Sequence, residues 1–155
     1  MIIKEIKKIS KLQIDFIYKL RNKLYVRNSS LNKRKINFKK HVAWVENFKK
    51  NKNKLFLIKK NQKNIGYIRV EKNSNFFYVS WALDKIYRGK GYVTKALKTV
   101  TKSSISNISN FKACILKDNI SSIKVAKKSG FKKIGTKQNF DIYLKIVKEK
   151  KLKKK

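Results

Sequence analysis

Short apolar runs, separated by polar and lysine-rich segments, recur along the whole chain. Runs of four to eight residues rich in β-branched and aromatic side chains are typical of strands, because these side chains pack well on a pleated, buried surface. The pattern predicts strands at residues 2–6, 55–58, 65–70, 76–83, 111–116 and 140–147. Residues 59–64 lie between two of these runs and are expected to form a hairpin turn.

Two helices are predicted in the N-terminal third, where apolar residues repeat every three or four positions. The first follows Ser10, a residue type that caps helices, and is expected to end at Arg21 and Asn22. The second covers residues 38–48. Residues 28–37, between them, are rich in Asn and Ser and are expected to form a polar loop.

Two further helices are predicted in the C-terminal half. One begins just after Gly91, with an apolar face formed by Val93, Ala96, Leu97 and Val100. The other covers residues 120–129. Asp118 or Asn119 can cap its first turn, and Gly130 suits the left-handed position after its last turn.

A chain of 155 residues is long enough to bury one sizeable core, and one domain is expected. Its hydrophobic fraction of 41% favours a folded protein over a disordered one. Neither an internal repeat nor a linker divides the chain. We therefore predict one domain at residues 1–147 and a lysine-rich tail at residues 148–155 that frays.

The formal net charge is +35, yet only five of the 43 basic residues are arginine. Proteins that grip nucleic acid usually rely more on arginine, which makes bidentate contacts. The lysines are dispersed through every segment, which favours a solvated lysine surface over a dedicated nucleic-acid interface. Such a surface is still expected to attract polyanions non-specifically and to steer anionic substrates.

Several classes of protein are disfavoured by what the chain lacks. A single cysteine, Cys114, excludes an internal disulfide, and its place in an apolar run favours a buried structural thiol. His41 is the only histidine, so no zinc cluster of the Cys/His type is expected, and we predict no metal. No apolar run approaches the ~18 residues of a membrane span, and the N-terminus lacks the apolar region of a signal peptide. A cytoplasmic protein is therefore expected.

The sequence Arg88-Gly89-Lys90-Gly91 lies between a predicted strand and a predicted helix. Glycine permits positive φ and close approach of a ligand to the backbone. The N-terminus of a helix offers unpaired N–H groups and a favourable dipole to an anion. The spacing alone allows two interpretations, a phosphate-binding turn or a basic surface turn without a ligand, and it fits neither the Walker nor the Rossmann pattern.

This turn resembles the acetyl-CoA pyrophosphate loop of the GNAT acetyltransferases, whose pattern is Arg/Gln-x-x-Gly-x-Gly/Ala. Arg88, Gly91 and Val93 occupy its three fixed positions, although valine departs from the usual small residue. A second match lies downstream, where the family has Asn-x-x-(Ser/Ala) followed by Gly-Phe. It is carried by Asn119, Ser122, Gly130 and Phe131. The order of predicted elements is also that of the GNAT fold, so the resemblance implies a single-domain α/β fold with a mixed central sheet flanked by helices.

The resemblance implies an acetyl-CoA-dependent N-acetyltransferase and assigns its cofactor-binding residues. The backbone at Trp81 and Leu83 would hold the pantetheine arm and the acetyl carbonyl, with the Leu83 N–H nearest the carbonyl. Asn119 would orient the pantetheine, or would simply cap its helix. The diphosphate would bind the N–H groups of Arg88, Gly89, Lys90, Gly91, Tyr92, Val93 and Thr94.

The resemblance places the catalytic groups less firmly. Many family members carry a carboxylate base on the central strand, at a position that corresponds roughly to Tyr78 here. Ser80 shares its face by strand alternation, and Glu71 ends the preceding strand. These three residues are the catalytic candidates, although Tyr78 could equally be an ordinary strand residue. The tyrosine that often serves as general acid is replaced by Ala126.

A narrower resemblance links the N-terminal half to N-acetyltransferases that modify a nucleotide-linked amino sugar, of the pseudaminic-acid-pathway type. It is carried by Arg21, Asn22, Arg27, Ser29, Ile36, His41 and Trp44. Arginines could meet a nucleotide diphosphate, His41 a phosphate or hydroxyl, and Trp44 a base or sugar. Packing of His41 and Trp44 against the sheet is the other interpretation of this pair.

An amino-sugar nucleotide is therefore the favoured acceptor of the predicted N-acetyltransferase. A ribosomal-protein or peptide N-acetyltransferase is the first alternative. The second alternative is a non-catalytic, basic RNA- or ribosome-associated module. Dispersed, arginine-poor charge disfavours this last class.

Overall fold

The computed structural model describes residues 1–103 and 110–147. The tail expected at residues 148–155 lies outside the described residues. The strands are β1 (Ile2–Glu5), β2 (Lys54–Lys60), β3 (Lys63–Lys72), β4 (Phe77–Leu83), β5 (Asn110–Leu116), β6 (Lys132–Lys137) and β7 (Phe140–Ile146). The α-helices are α1 (Lys11–Asn22), α2 (Leu24–Arg27), α3 (Phe38–Lys50), α4 (Tyr92–Ser103) and α5 (Ile120–Lys128), and a 3-10 helix covers Lys85–Tyr87.

One mixed sheet of seven strands organises these elements, in the order β1-β2-β3-β4-β5-β7-β6. All neighbouring pairs are antiparallel except β4 and β5, which run parallel. A parallel pair needs a crossover connection, and α4 lies in the connection between β4 and β5. The predicted α/β class with a mixed central sheet is thereby confirmed.

Each face of the sheet has its own hydrophobic cluster. One cluster joins the sheet to α4 and α5 through residues such as Leu97 and Ala126. The other joins it to α1, α2 and α3 through residues such as Leu20 and Phe48. Side chains of a strand alternate between the two faces. Helices α1, α2 and α3 therefore cover one face of the sheet, and helices α4 and α5 cover the other face.

Local signals fix the helix starts as the sequence predicts. Ser10 and Gln13 form a reciprocal capping box at the start of α1. The Ser10 N–H donates to the Gln13 Oε1 at 2.9 Å, and the Gln13 N–H donates to the Ser10 Oγ at 3.3 Å. Asn37 caps α3 by accepting from the Lys39 N–H at 2.8 Å. Asn119 caps α5. The apolar stripe predicted for α4 is buried.

Three details of the predicted elements are wrong. Strand β6 is missing from the prediction because its side chains are nearly all exposed, so it has no apolar run. The short helix α2 is also missing. The hairpin turn expected at residues 59–64 is tighter, because β2 and β3 extend to Lys60 and Lys63, and Asn61 and Gln62 turn the chain with positive φ of 46° and 62°.

Among the described residues, no helix is both long and apolar enough to cross a membrane. The same residues contain no group of three or more His, Cys, Asp or Glu side chains placed to hold a metal ion.

Candidate active site

The sheet opens in its middle, between β4 and β5. These strands pair at Phe77–Phe111 and Tyr78–Lys112, and no later pair follows among the described residues, although both strands continue. Beyond Tyr78 the two strands therefore diverge, and β4 presents one backbone edge to the opening.

Alternate residues of β4 bond to β3, and this alternation shows which backbone groups face the opening. The Asp84 N–H donates to the Ile65 carbonyl at 2.9 Å, and β3 and β4 stay in register up to that point. Antiparallel residues bond the partner strand alternately, so Ala82 bonds to β3, whereas Trp81 and Leu83 direct their N–H and C=O groups to the other side. The two positions expected to hold the acetyl end of the cofactor thus present free backbone groups to the opening.

The glycine turn lies directly after this edge. Gly89 and Gly91 have positive φ of 78° and 73°, and a Cβ built on either would meet no atom within 4 Å. Both positions therefore need glycine for their conformation, and both leave open space for a ligand to approach the backbone. Helix α4 starts at Tyr92, so its unpaired N–H groups face the same space. This arrangement fits a diphosphate.

A cleft of about 350 Å³ joins the opening to the turn. Every residue expected to bind the cofactor lines it except Lys90, whose side chain is exposed and points elsewhere. The cleft wall also includes Lys124 and Lys128 of α5, which the sequence did not single out. They add positive charge to the cleft, which favours a phosphate-bearing cofactor.

A second cavity of about 410 Å³ adjoins this cleft on the side of the N-terminal helices. The two spaces share wall residues from α2 and the loop after it, from β4, and from the start of α5 with its cap, namely Val26, Ser29, Ser30, Trp81, Asn119 and Ser122. A ligand in one space can therefore meet a ligand in the other at these residues. We call the second space the acceptor cavity.

Asn119 stands at this junction and makes several hydrogen bonds. Its Oδ1 accepts from the Ser122 N–H at 3.2 Å and from the Ser121 hydroxyl at 3.1 Å. Its Nδ2 donates to the Ser29 carbonyl at 3.2 Å. The residue caps α5 and at the same time ties α5 to the loop after α2. Of the two expected roles, the structure shows the cap, and it places the same side chain in both walls.

Three of the five expected substrate residues line the acceptor cavity, namely Arg21, His41 and Trp44. Asn22 and Arg27 do not. Asn22 exchanges two hydrogen bonds with the Ile36 backbone, at 2.8 and 2.9 Å. Arg27 donates to the Asn22 and Lys33 carbonyls, both at 3.2 Å. These two residues hold the loop at residues 28–37 in place.

His41 and Trp44 form an aromatic wall of the cavity. Their rings stack with centroids 5.5 Å apart and an interplanar angle of 30°. His41 is buried, and its Nε2 lies 3.2 Å from the Ile14 carbonyl, so Nε2 carries the proton. Burial lowers the pKa of His41, while the Ile14 bond partly opposes this. The imidazole is therefore neutral at pH 7 and leaves Nδ1 as an acceptor.

Of the catalytic candidates, only Ser80 lines the acceptor cavity. Tyr78 is exposed and packs edge-on against Phe76 at a centroid distance of 4.8 Å. Glu71 lies opposite Tyr78 in the neighbouring strand, outside both cavity walls. The three residues share one face of β3 and β4, but only Ser80 reaches the wall of the acceptor cavity.

Arg69 is the functional residue that the sequence did not reveal. It lies opposite Ser80 in β3, and its Nε donates to the Ser80 Oγ at 2.8 Å. Its Nη2 lies 3.6 Å from the Glu71 carboxylate, and its guanidinium lies 5.3 Å from the centre of the Trp44 ring. Arg69 thereby connects the cavity wall at Ser80 to Glu71.

Two other residues of the site differ from expectation or were missed. Cys114 was expected to be buried, but it is half-buried and lines the acceptor cavity. Burial raises its pKa, so it is a protonated thiol at pH 7. Tyr25 of α2 links the two halves of the site: its hydroxyl donates to Asp84 at 3.3 Å, and the Arg88 guanidinium lies 4.7 Å from its ring centre.

The open sheet edge, the glycine turn and the two adjoining cavities define a transferase site, in which a diphosphate-bearing cofactor meets an acceptor. The family model of the acetyltransferase (GNAT) domain matches residues 15–132. The chain therefore belongs to the GNAT acetyltransferases, and it is an N-acetyltransferase that uses acetyl-CoA as its cosubstrate. No curated protein sequence matches the chain.

Solved structures share the fold at low sequence identity. A ribosomal-protein-alanine N-acetyltransferase from Brucella melitensis superposes with a TM-score of 0.79 at 15% identity, over 95% of this chain and 100% of that one. The acetyltransferase yncA from Salmonella typhimurium, solved with acetyl-CoA, gives 0.74 at 16%, over 96% of each chain. The microcin C7 self-immunity acetyltransferase MccE, solved with acetyl-CoA and AMP, gives 0.73 at 21%, over 89% of each chain.

Proposed function

We propose that this N-acetyltransferase acetylates the amino group of a nucleotide-linked amino sugar, as enzymes of the pseudaminic-acid-pathway type do. One observation carries the proposal. The acceptor cavity opens onto the cofactor cleft at Trp81 and Asn119, and its far wall presents the stacked His41–Trp44 pair. Aromatic side chains suit contact with a base or sugar ring, here through their edges because His41 and the Arg69 guanidinium lie against the Trp44 ring. The cavity volume of about 410 Å³ lies in the range of small-molecule sites.

The cofactor residues have distinct roles in this proposal. The turn from Arg88 to Thr94 holds the diphosphate through backbone N–H groups, and Arg88 adds charge. The free edge of β4 at Trp81 and Leu83 aligns the pantetheine arm and polarises the acetyl carbonyl. Acetyl-CoA supplies the activated acetyl group as a thioester. Lys124 and Lys128 neutralise the remaining phosphate charge.

The acceptor residues bind and prepare the amine. His41 and Trp44 hold the ring system, and neutral His41 accepts a hydrogen bond from a substrate hydroxyl through Nδ1. The amine must lose a proton before it attacks. We assign the relay of this proton to the Ser80 hydroxyl, with water leading to Glu71, which Arg69 connects to the wall. Tyr78 and Glu71 both lie outside the cavity wall, and the link from Ser80 through Arg69 favours Glu71.

Similar folds serve several acceptor classes. MccE was solved with acetyl-CoA and AMP, and this supports an acceptor that carries a nucleotide. Other neighbours are a ribosomal-protein acetyltransferase and an aminoglycoside acetyltransferase solved with paromomycin. The test therefore compares these acceptors directly.

The experiment measures kcat/KM with acetyl-CoA for three acceptors: a UDP-linked 4-amino sugar, a ribosomal N-terminal peptide, and paromomycin. We expect the nucleotide sugar to be acetylated at least tenfold faster than either alternative. The Gly91→Glu variant is the matched negative control, since it places a side chain and a negative charge at a positive-φ position facing the diphosphate site. Faster turnover of the peptide or of paromomycin would reject the amino-sugar assignment.

A further inference from the structure

The charged residues that line the acceptor cavity are all positive. Among the described residues that form its wall, Arg21 and Arg69 carry charge at pH 7, and the wall contains no Asp, Glu or Lys. The chain has only five arginines among 43 basic residues. Two of these five lie in this wall, whereas the far more numerous lysines are absent from it. A surface that merely collects basic residues at random would show the opposite preference.

Arg69 is held rigidly in this wall. Its Nε is fixed by the Ser80 hydroxyl at 2.8 Å, and its plane lies over the Trp44 ring. Its one acidic neighbour, Glu71, approaches Nη2 at 3.6 Å, which is longer than a direct hydrogen bond. The guanidinium group of Arg69 is therefore held in one orientation, and its positive charge is only partly neutralised by Glu71.

Arg21 of α1 also lines this wall. Its Nη2 donates to the Asn32 carbonyl at 2.6 Å. Its Nη1 is buried and has no hydrogen-bond partner among the described residues, an arrangement that costs free energy until a partner arrives. Burial lowers the pKa of Arg21, and the like charges of Arg69 and Arg27 lower it further. The guanidinium groups thus repel one another without a carboxylate between them.

A neutral donor completes this part of the cavity. Tyr67 lies in β3 two residues before Arg69, is buried, and lines the same wall. Burial raises the pKa of Tyr67, so its phenol stays protonated and can donate a hydrogen bond. Two guanidinium groups and a phenol around one space match the oxygens of a phosphate or carboxylate.

We propose that the acceptor molecule carries an oxyanion, a phosphate or a carboxylate, which binds between Arg21 and Arg69. This inference rests on the proposed function and assigns the residues that bind the negative charge of the acceptor. Neither arginine lines the cofactor cleft, whereas Trp81 and Asn119 line both spaces. The anion therefore binds away from the cofactor cleft, and the amine points to the cofactor. Polycationic acceptors are disfavoured because they would add positive charge beside two guanidinium groups, of which only Arg69 has a carboxylate, that of Glu71, at ion-pair distance.

A binding experiment tests this without requiring turnover. The protein is first saturated with coenzyme A, which fills the cofactor cleft, and is then titrated with inorganic pyrophosphate or with citrate. The readout is the fluorescence of Trp44 and Trp81, the only tryptophans of the chain, both of which line the cavity. Wild type should bind at least one probe saturably, and the stronger probe identifies phosphate or carboxylate as the preferred anion.

Arg21→Gln and Arg69→Gln should each weaken this binding at least tenfold. Arg34→Gln is the matched control, because it removes the same charge from an exposed residue outside the cavity wall, and it should bind within about twofold of wild type. Arg69→Lys keeps the charge without the fork and should lie between. The melting temperature of each variant, and its shift with acetyl-CoA, shows whether the variant is folded. If Arg69→Gln does not fold, Arg69→Lys replaces it in the test.

Absence of saturable binding in wild type would overturn the proposal, and so would unchanged binding in both Arg69 variants or an equal loss in Arg34→Gln. Failure of this proposal is distinguishable from failure of the proposed function. If the anion site is real but the nucleotide sugar is the wrong acceptor, the titration succeeds while that sugar is not acetylated. If the sugar is correct but the arginines do not bind its charge, turnover proceeds and the arginine variants titrate as wild type does.

Discussion

At the scale of single residues, His41 shows how burial determines the protonation state of a side chain. The ring lies against Tyr18 and Trp44, its Nε2–H is bonded to the Ile14 carbonyl, and burial lowers its pKa below the ordinary 6.5. In the unfolded chain the same group titrates near 6.5. Between that value and the lower folded pKa, the unfolded state binds more protons than the folded state. The contribution of His41 to the free energy of unfolding is therefore fully present above about pH 7, and it is lost as the pH falls through this window.

His41→Gln should flatten this decline. A glutamine amide can still donate to the Ile14 carbonyl, but it does not titrate. We expect the melting temperature of wild type to fall more than that of the variant between about pH 7.5 and 5.5, with carboxylates contributing mainly below that range. The measurement is a set of thermal melts across these pH values. Parallel curves for the two proteins would show that His41 is not responsible.

The residues of the site were predictable to very different degrees. Gly89 and Gly91 could be identified because a turn that needs positive φ selects glycine locally. Arg69 could not, because an arginine in a strand of a lysine-rich chain looks like another surface charge. Its importance comes from its cross-strand partner Ser80, and a pairing of that kind depends on the register between strands. Arg27 was an expected substrate residue, yet its donors go to backbone carbonyls nearby.

At the scale of elements, the four-residue helix α2 joins the two halves of the site. It carries Val26 into the wall shared by both cavities. It also carries Tyr25, whose hydroxyl donates to Asp84 at 3.3 Å and accepts from the Lys85 N–H at 3.2 Å. The ring of the same residue lies beneath the Arg88 guanidinium. Helix α2 thereby positions the segment that leads into the diphosphate turn.

Substitutions of Tyr25 separate these contributions. Tyr25→Phe removes both hydrogen bonds but keeps the ring under Arg88, whereas Tyr25→Ala removes both kinds of contact. A partly exposed cation–π contact stabilises by about 0.5–1 kcal/mol, so we expect the alanine variant to bind acetyl-CoA about two- to fivefold more weakly than wild type. The phenylalanine variant should lie between them. Calorimetric titration gives these constants, and alanine binding equal to wild type would refute the role given to α2.

The elements missed from the sequence share a physical cause. Strand β6 forms the edge of the sheet, and most of its side chains are exposed, so no apolar run marks it. It is held instead by pairing with β7 and by Asp141, which accepts from Thr136 at 2.7 Å and pairs with Lys133 at 2.8 Å. The divergence of β4 from β5 is likewise a property of pairing between distant segments. Periodicity within one segment contains no information about either.

At the scale of the whole molecule, the fold separates two kinds of positive charge. Lysines cover the outer surface in a solvated, dispersed layer, and the described residues include only three ion pairs. Three of the five arginines, Arg21, Arg69 and Arg88, line the acceptor cavity or the cofactor cleft at the diphosphate turn. The first kind gives attraction without selectivity, and the second gives oriented hydrogen bonds. This difference predicts how the protein responds to salt.

A net charge of +35 makes adhesion to RNA expected, so binding of RNA alone would not argue against an enzyme. Lysine–phosphate contacts release counterions, and six to ten of them lose ~10³–10⁵ in affinity between about 50 and 200 mM salt. Acetyl-CoA should lose far less, because backbone N–H groups and burial of the pantetheine arm supply much of its affinity. We therefore expect RNA adhesion to be indifferent to sequence and to collapse at moderate salt, while acetyl-CoA binding and acetyl transfer persist.

Arg88→Ala separates the two interactions within one molecule. Arg88 lines the cofactor cleft, so its loss should weaken acetyl-CoA binding, whereas RNA adhesion should hardly change because one charge among 43 basic residues is removed. Acetyl-CoA affinity by calorimetry and RNA affinity by filter binding are measured for both proteins at about 50 and 200 mM salt, the range over which counterion release is steep. Sequence-selective RNA binding that survives the higher salt, together with no acetyl transfer to any amine, would identify RNA as the ligand for which this surface is built.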